Sequence, residues 1–244
     1  MFERVIIAVD GSSSATDAPA LAATLAAPGA EIVTAHVADG RHEEPAVTAD
    51  VTLSGSFARA LAGLARERSA DLVVVGSHHH RHIWSANHTH AALHHLACSV
   101  AVAPDGYGAG EHAAFGVIGV AYDETTPGAA AALAAARRLA EPSGAEVRVI
   151  EVVRDSNLPS TESTAGWKAQ QAGARLASLD DVTVMVLEGD PVDRLREVAA
   201  SVDLLVLGQH HPSALAALLL EHTADRLAGH VACPLLVQAD SASA

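Results

Sequence analysis

Lysine, cysteine and aromatic residues are scarce in this chain of 244 residues, and each shortage excludes a class of protein. The only lysine is Lys168, and 29 acidic residues outnumber 15 basic ones, which gives a formal net charge of −14. A surface of this sign repels phosphate backbones and anionic headgroups, so neither nucleic acid nor a membrane is an expected partner. Two cysteines exclude a disulfide framework, and an aromatic content of 3% disfavours stacking platforms for single strands.

Long apolar runs and a secretory-type leader are also missing, so we expect a soluble, cytoplasmic protein. Apolar residues nevertheless make up 50% of the chain, which is enough for one large domain or two compact ones. Histidine is abundant by contrast, since the chain has 15, as many as all its lysine and arginine.

The sequence contains an internal repeat. Three landmarks recur in the same order: an apolar run that ends in aspartate, an Asp-Leu-led run that ends in glycine before paired histidines, and a cysteine before a short apolar run. They lie at 5–10, 71–79 and 98–102, and again at 117–123, 203–211 and 233–237. A segment rich in glycine and proline separates the copies. We predict domains at 1–104 and 113–239, joined by a linker at 105–112.

Within each copy, β-branched runs alternate with stretches rich in alanine and leucine, which predicts a doubly wound α/β domain with a parallel sheet. In the second copy we predict strands at 115–121, 146–153, 182–187, 203–207 and 234–238, and helices at 127–141, 161–178, 191–201 and 213–230. Such sheets bind ligands at the carboxyl ends of their strands, where strand order reverses. Asp10, Gly76, Asp123 and Gly208 occupy such ends.

The first copy is shorter than the second. Only residues 38–45 separate the strand that ends at Val37 from the next candidate strand at 46–53. A parallel crossover usually needs a dozen or more residues. We therefore expect the first copy to lack its second helix or to carry a loop there.

These landmarks resemble the universal stress protein family in its tandem two-domain form. The resemblance is carried by Ala8-Val9-Asp10-Gly11-Ser12, by His36-Val37, by Glu188-Gly189-Asp190-Pro191 and by the two Asp-Leu strands. It implies two doubly wound, five-stranded parallel-sheet domains of the adenine nucleotide alpha hydrolase type. Family copies pair through their last strands, so the strands at 99–103 and 234–238 would be neighbours in an intramolecular pair.

The resemblance also permits a test for ATP binding, because the ATP-binding branch of the family has a G-x2-G-x9-G-[S/T] loop after its fourth strand. Glycines there let backbone N–H groups approach the phosphates. The second copy keeps Gly208 but has His211, Glu221 and His222 at the later positions. The first copy keeps Gly76 and has no glycine from residue 77 to residue 98. Both loops are therefore degenerate.

The residues around the adenine are better preserved than the loops. If a nucleotide is bound, the resemblance implies contacts at two sets of residues: Asp10, Gly11, Val37, Gly76 and Ser77 in the first copy, and Asp123, Val152 and Gly208 in the second. Two alternatives remain open. The aspartates either contact a ligand or begin a turn or helix after the strand, and the glycines either face a ligand or simply end the strand.

Eight of the 15 histidines fall between residues 78 and 95. One interpretation is a divalent-metal site for Zn or Ni, with candidate ligands His78, His80, His82, His90 and His94. A second is an anion pocket that strengthens on protonation, below about pH 6.5. A third is a solvated surface without a specific role.

No catalytic constellation stands out in the sequence. We therefore predict a non-enzymatic, regulatory binding protein of the stress response that requires no cofactor and binds ATP weakly or not at all. The alternatives are adenine-nucleotide binding in one copy and metal binding by residues 78–95. We also expect a protein partner or self-association, with a homodimer of tandem chains as one form.

Overall fold

The computed structural model describes residues 1–9, 16–38, 48–77, 89, 92–93, 95–110, 112, 114–126, 128–154, 164–209, 223–228 and 230–240. The first half contains β1 (Phe2–Val9), α1 (Asp17–Leu25), β2 (Ala26–Ala38), β3 (Val51–Ser54), α2 (Phe57–Glu67), β4 (Leu72–Gly76) and β5 (Ser99–Ala103). The second half contains β6 (Val117–Ala121), α3 (Ala129–Ala140), β7 (Glu146–Val153), α4 (Thr164–Leu176), β8 (Thr183–Glu188), α5 (Pro191–Ala199), β9 (Leu204–Gly208) and β10 (Leu235–Gln238).

All ten strands form one sheet in the order β3-β2-β1-β4-β5-β10-β9-β6-β7-β8. Each half contributes five parallel strands in the same relative order. The predicted doubly wound α/β fold is thereby confirmed. In both halves the strand order reverses beside the first strand, between β1 and β4 and between β6 and β9.

The two halves meet through their last strands, as expected for an intramolecular pair. β5 and β10 pair antiparallel, with Leu236 opposite Ala101. This seam is the only antiparallel pairing between the described strands. Its interior is apolar on both faces, since Val100, Ala101, Leu235 and Leu236 are all buried.

The core lies on both faces of this sheet. On one face α1 and α3 pack against the strands, and on the other α2, α5 and the helical residues 223–227 do so. The central strands are therefore apolar along their whole length, as β4 and β9 show.

The start of α5 illustrates how local sequence sets an element boundary. The Asp190 carboxylate accepts hydrogen bonds from the backbone N–H groups of Val192 and Asp193, at 3.0 and 3.3 Å. Pro191 follows at the first helical position, where a missing N–H costs nothing. Gly189 precedes this cap with a φ of +135°, a conformation that other residues rarely adopt.

One strand prediction in the first half needs correction. β3 begins at Val51 and ends at Ser54, whereas the sequence pattern predicted a strand over 46–53. Residues 39–47 lie outside the described residues, so the loss of the crossover helix stays a prediction. The predicted helix at 213–230 is described only at its end, where residues 223–227 are helical. No helix among the described residues has the length and apolarity to cross a bilayer.

Candidate functional site

A cleft opens at the carboxyl edge of the second-half sheet, where the connections of β6 and β9 leave to opposite faces. Its volume is about 410 Å³. Strand order reverses there, which is the usual place for a ligand in an open α/β sheet. The lining residues are Ala121, Tyr122, Asp123, Thr125, Thr126, Ile150, Val152, Arg154, Pro191, Leu195, Leu207, Gly208 and Thr223.

Asp123 begins a turn at the end of β6. Its Oδ1 accepts hydrogen bonds from the backbone N–H of Thr125 at 2.9 Å and from the Thr125 hydroxyl at 2.6 Å. The Thr126 hydroxyl donates to the Asp123 carbonyl at 2.7 Å. These contacts fix the carboxylate at the mouth of the cleft. The turn role that the sequence allowed for Asp123 is therefore present, and both of these carboxylate hydrogen bonds use Oδ1 rather than Oδ2.

The walls of the cleft are mostly apolar. Ile150 and Val152 come from β7, Leu195 from α5 and Leu207 from β9. Val152 thus lies where the sequence placed it, beside Asp123 and Gly208. Arg154 is the one basic residue on the lining and Asp123 the one acidic residue, so the described lining carries no net formal charge.

Gly208 has a packing role that the sequence did not reveal. A Cβ at position 208 would collide with the backbone of Gly128, just before α3. The reverse also holds, because a Cβ at Gly128 would lie 2.5 Å from the carbonyl oxygen of Gln209. Close approach of two chain segments therefore explains the glycine at the end of β9 without any phosphate.

Thr223 is a further lining residue that sequence reasoning missed. It is buried at 3% exposure and lies at the start of the last described helical segment. Its counterpart in the first half, Thr89, is also buried and donates a hydrogen bond to the Gly76 carbonyl at 3.3 Å. The repeat could have indicated this pair, since Thr89 precedes Cys98 by nine residues and Thr223 precedes Cys233 by ten.

Glu151, on β7, is a buried acid on the opposite face of the sheet from Ile150. Its Oε1 accepts a hydrogen bond from Arg175 at 2.8 Å, while Oε2 is buried and has no partner among the described residues. Burial raises the pKa of the Glu151 carboxyl, and the charges of Asp123 and Glu124 add to that rise against the opposing effect of Arg175. The strand that lines the cleft through Ile150 and Val152 therefore also carries a buried carboxylate, and Arg175 donates the hydrogen bond to it.

Comparison with known proteins supports the fold and the repeat. A family model described as the universal stress protein family matches residues 41–104 and 114–238. The chain belongs to the universal stress protein family. A universal stress protein from Archaeoglobus fulgidus DSM 4304 has a TM-score of 0.63 and 13% identity, with 97% of this chain and 96% of that chain covered. A putative universal stress protein from Pseudomonas aeruginosa UCBPP-PA14 has a TM-score of 0.66 and 13% identity, with 97% and 93% covered. No curated protein matches the sequence.

The first half of this universal stress protein is only partly comparable with the second. Asp10 and Gly11 lie outside the described residues. Val37 is the last but one residue of β2 and Gly76 is the last residue of β4, at the same edge of the sheet. Ser77 is buried, and its backbone N–H donates to the Ala103 carbonyl at 2.8 Å. Its hydroxyl oxygen has no partner among the described residues.

His36 occupies the strand position in the first half that Glu151 occupies in the second. It is buried at 6% exposure, and its Nδ1 lies 3.2 Å from the Val9 carbonyl oxygen. In the tautomer that carries its hydrogen on Nδ1, this nitrogen donates a hydrogen bond to the Val9 carbonyl, which links the ends of β1 and β2. Each half of this protein therefore buries one polar side chain in its second strand, next to Val37 in the first half and next to Val152 in the second.

The structure does not test the metal-site prediction for the histidine-rich segment. His78, His80, His82, His90 and His94 all lie outside the described residues. Among the residues that are described, no group of three or more histidine, cysteine or acidic side chains is arranged to hold a metal ion. The metal-site prediction for residues 78–95 stays a prediction.

The two cysteines have the character of core residues. Cys233 is buried and Cys98 half-buried, and both are free thiols. Burial raises the pKa of Cys98 to about 11 and that of Cys233 to about 12. Both remain protonated at neutral pH, which makes them poor nucleophiles.

Proposed function

We propose that this universal stress protein is a non-enzymatic, cytoplasmic, regulatory binding protein whose second half binds a small ligand of the nucleoside type. On this proposal it binds ATP weakly or not at all and requires no cofactor. The domains are 1–104 and 113–239 with the linker at 105–112. Each half is the repeat unit of an internal pair, and association with a partner protein or a second chain is the expected mode of action.

The supporting observation is that the second-half cleft has apolar walls and that its described lining carries no net charge. A volume of about 410 Å³ with apolar walls at Ile150, Val152 and Leu207 suits a flat, weakly polar ring system. The single cation of the lining, Arg154, is balanced by the single anion, Asp123, so the described lining has no excess positive charge for a triphosphate.

The sequence of the phosphate loop supports the same conclusion. Residues 210–222 lie outside the described residues, and they carry His211, Glu221 and His222 where the ATP-binding branch has glycines and a hydroxyl residue. A carboxylate at position 221 repels a triphosphate, and the side chains at these positions replace the close backbone approach that glycine permits. Gly208, the one loop glycine retained, is explained by its contact with Gly128.

Calorimetric titration of the full chain with adenosine and with MgATP tests this proposal. We expect adenosine to bind at least tenfold more tightly than MgATP. Asp123→Ala removes the carboxylate at the mouth of the cleft and should weaken adenosine binding by roughly tenfold, since a hydrogen bond to a charged group contributes about that much. Thr223→Val provides a second variant, because its hydroxyl is lost without a change of volume.

Thr183→Val is the matched control, because Thr183 is exposed at the start of an edge strand far from the cleft lining. It should leave both affinities unchanged. Micromolar or tighter MgATP binding that Asp123→Ala abolishes would contradict the proposal and favour a nucleotide-binding stress protein. Zinc binding that depends on His78, His80 and His82 would favour the metal alternative instead.

A further inference from the structure

A second, larger groove lies where the amino edge of the first-half sheet meets the second half. Its volume is about 1010 Å³. Its lining comes from α2, from the later part of α3, from the residues that lead into β4 and β5, and from residues 238–240. None of its lining residues belongs to the lining of the cleft described above.

This groove gathers positive charge in a strongly acidic protein. Arg4, Arg59, Arg66 and Arg138 all line it, which is four of the 14 arginines in a chain of net charge −14. Two aspartates also line it. Both carboxylate oxygens of Asp71 already accept backbone N–H groups, from Glu3 and Arg4, each at 2.9 Å. Asp240 is the other.

These arginines are not neutralised by carboxylates of the described residues. Among those residues, Arg59 and Arg138 have no hydrogen-bond or ion-pair partner. Arg4 and Arg66 use one nitrogen each on a backbone carbonyl, that of Ser69 at 2.5 Å and that of Ala62 at 3.3 Å. Their remaining N–H donors are available to a ligand.

The corresponding helix of the second half provides an internal comparison. On α5 each arginine has an acidic partner on the same helix, Arg194 with Glu197 at 2.8 Å and Arg196 with Asp193 at 3.7 Å. On α2 the groove face has instead three alanines, Ala58, Ala62 and Ala65, of which Ala62 and Ala65 lie between the two arginines. Arg59 and Arg66 are seven residues apart, so their Cα atoms are about 10 Å apart along one face of the helix. Small side chains between them keep the groove open.

We propose that this groove is a binding site for a small polyanion that carries several phosphate groups. Arginine recognises phosphate through paired N–H donors, which gives both affinity and geometry. The guanidinium groups of Arg59 and Arg66 come from α2 and that of Arg138 from α3, so a ligand in this groove can meet cations from both halves of the chain. The volume is that of a small-molecule site, and its place at the seam lets one ligand contact both halves of the chain.

Titration of the full chain with inorganic triphosphate at low ionic strength tests this inference. We expect binding that weakens steeply with added salt. Arg59→Ala and Arg138→Ala should each lower the affinity by roughly tenfold, because each removes a charge-assisted contact. Arg59→Lys should restore part of that loss. Thermal unfolding of each variant without ligand checks that these exposed substitutions leave the fold intact.

Arg194→Ala is the matched control, since it removes the same charge from the corresponding helix outside the groove. It should leave triphosphate binding unchanged. Equal affinity of the wild type, Arg59→Ala and Arg138→Ala would overturn the inference, and so would the absence of binding at millimolar triphosphate. A polyglutamate peptide that binds while triphosphate does not would also overturn it and indicate an acidic protein partner.

The two sites can be separated in the same experiments. Asp123→Ala should weaken adenosine binding and leave triphosphate binding unchanged. Arg138→Ala should weaken triphosphate binding and leave adenosine binding unchanged. MgATP binding that is lost only in Arg59→Ala and Arg138→Ala would support the groove and still be consistent with a cleft that does not take a triphosphate.

Discussion

At the scale of single residues, the buried carboxylate of Glu151 has the clearest consequence for solution behaviour. Among the described residues only Arg175 donates a hydrogen bond to it, and one of its two oxygens has no partner there. An alternating strand pattern does not reveal such a residue, because an acidic side chain in a strand is ordinarily taken as solvent-facing. The packing of α4 over β7 decides its burial.

Glu151 should make the protein less stable as pH rises. Its pKa is raised in the folded state, so the unfolded chain loses this proton first and stability falls from about the ordinary pKa of 4.5 up to the folded value. Glu151→Gln lacks this titration. The free energy of unfolding of the variant minus that of the wild type should therefore increase with pH across this window, as measured by urea unfolding at a series of pH values.

Glu197→Gln, on the exposed surface of α5, is the control for the chemical change. The free energy of unfolding of Glu151→Gln minus that of the wild type would contradict a raised pKa of Glu151 if it stayed constant or decreased as pH rises.

At the scale of elements, the contact between the end of β9 and the start of α3 determines the shape of the cleft. Gly208 and Gly128 approach so closely that neither has room for a side chain. The sequence presented Gly208 as a remnant of a phosphate loop or as a strand end. The structure adds a third explanation, because Gly128 is distant in sequence and becomes its neighbour only after β6 and β9 pair.

Gly208→Ala should destabilise the protein by about 1–3 kcal/mol, since the added methyl group forces two backbone segments apart. Gly173→Ala provides the control, because Gly173 lies within α4 and a Cβ at that position would have no other atom within 4 Å. Alanine there should be neutral or stabilising by up to about 1 kcal/mol. Urea unfolding measures both, and a Gly208→Ala variant as stable as Gly173→Ala would contradict the packing explanation.

At the scale of the whole molecule, the linker is fixed to the first half by one buried carboxylate. Asp17 is 2% exposed, and its oxygens accept the backbone N–H groups of Gly106 at 3.0 Å and Gly108 at 2.6 Å. Gly108 also lies tightly against Thr16, which leaves no room for a side chain there. Residues 106–108 are therefore packed against α1.

Asp17→Ala should weaken this attachment and lower the free energy of unfolding by about 1–3 kcal/mol, since two buried N–H groups lose a charged acceptor. Limited proteolysis should then cut residues 105–112 faster than in the wild type. Asp17→Asn retains one acceptor oxygen and should fall between the two. Equal cleavage rates in all three proteins would show that the linker does not depend on Asp17.

The sequence by itself determined the repeat and the parallel α/β architecture of both halves, because these follow from apolar periodicity and from matched landmarks. The pairing of the strands after Cys98 and Cys233 was implied by the resemblance to the universal stress protein family. It also indicated Asp123, Val152 and Gly208, which the cleft brings together. Only the tertiary structure decided the burial of Glu151, the contact of Gly208 with Gly128 and the convergence of four arginines at the seam. Each of these depends on elements far apart in the chain, and a local pattern carries no information about which distant segment will become a neighbour.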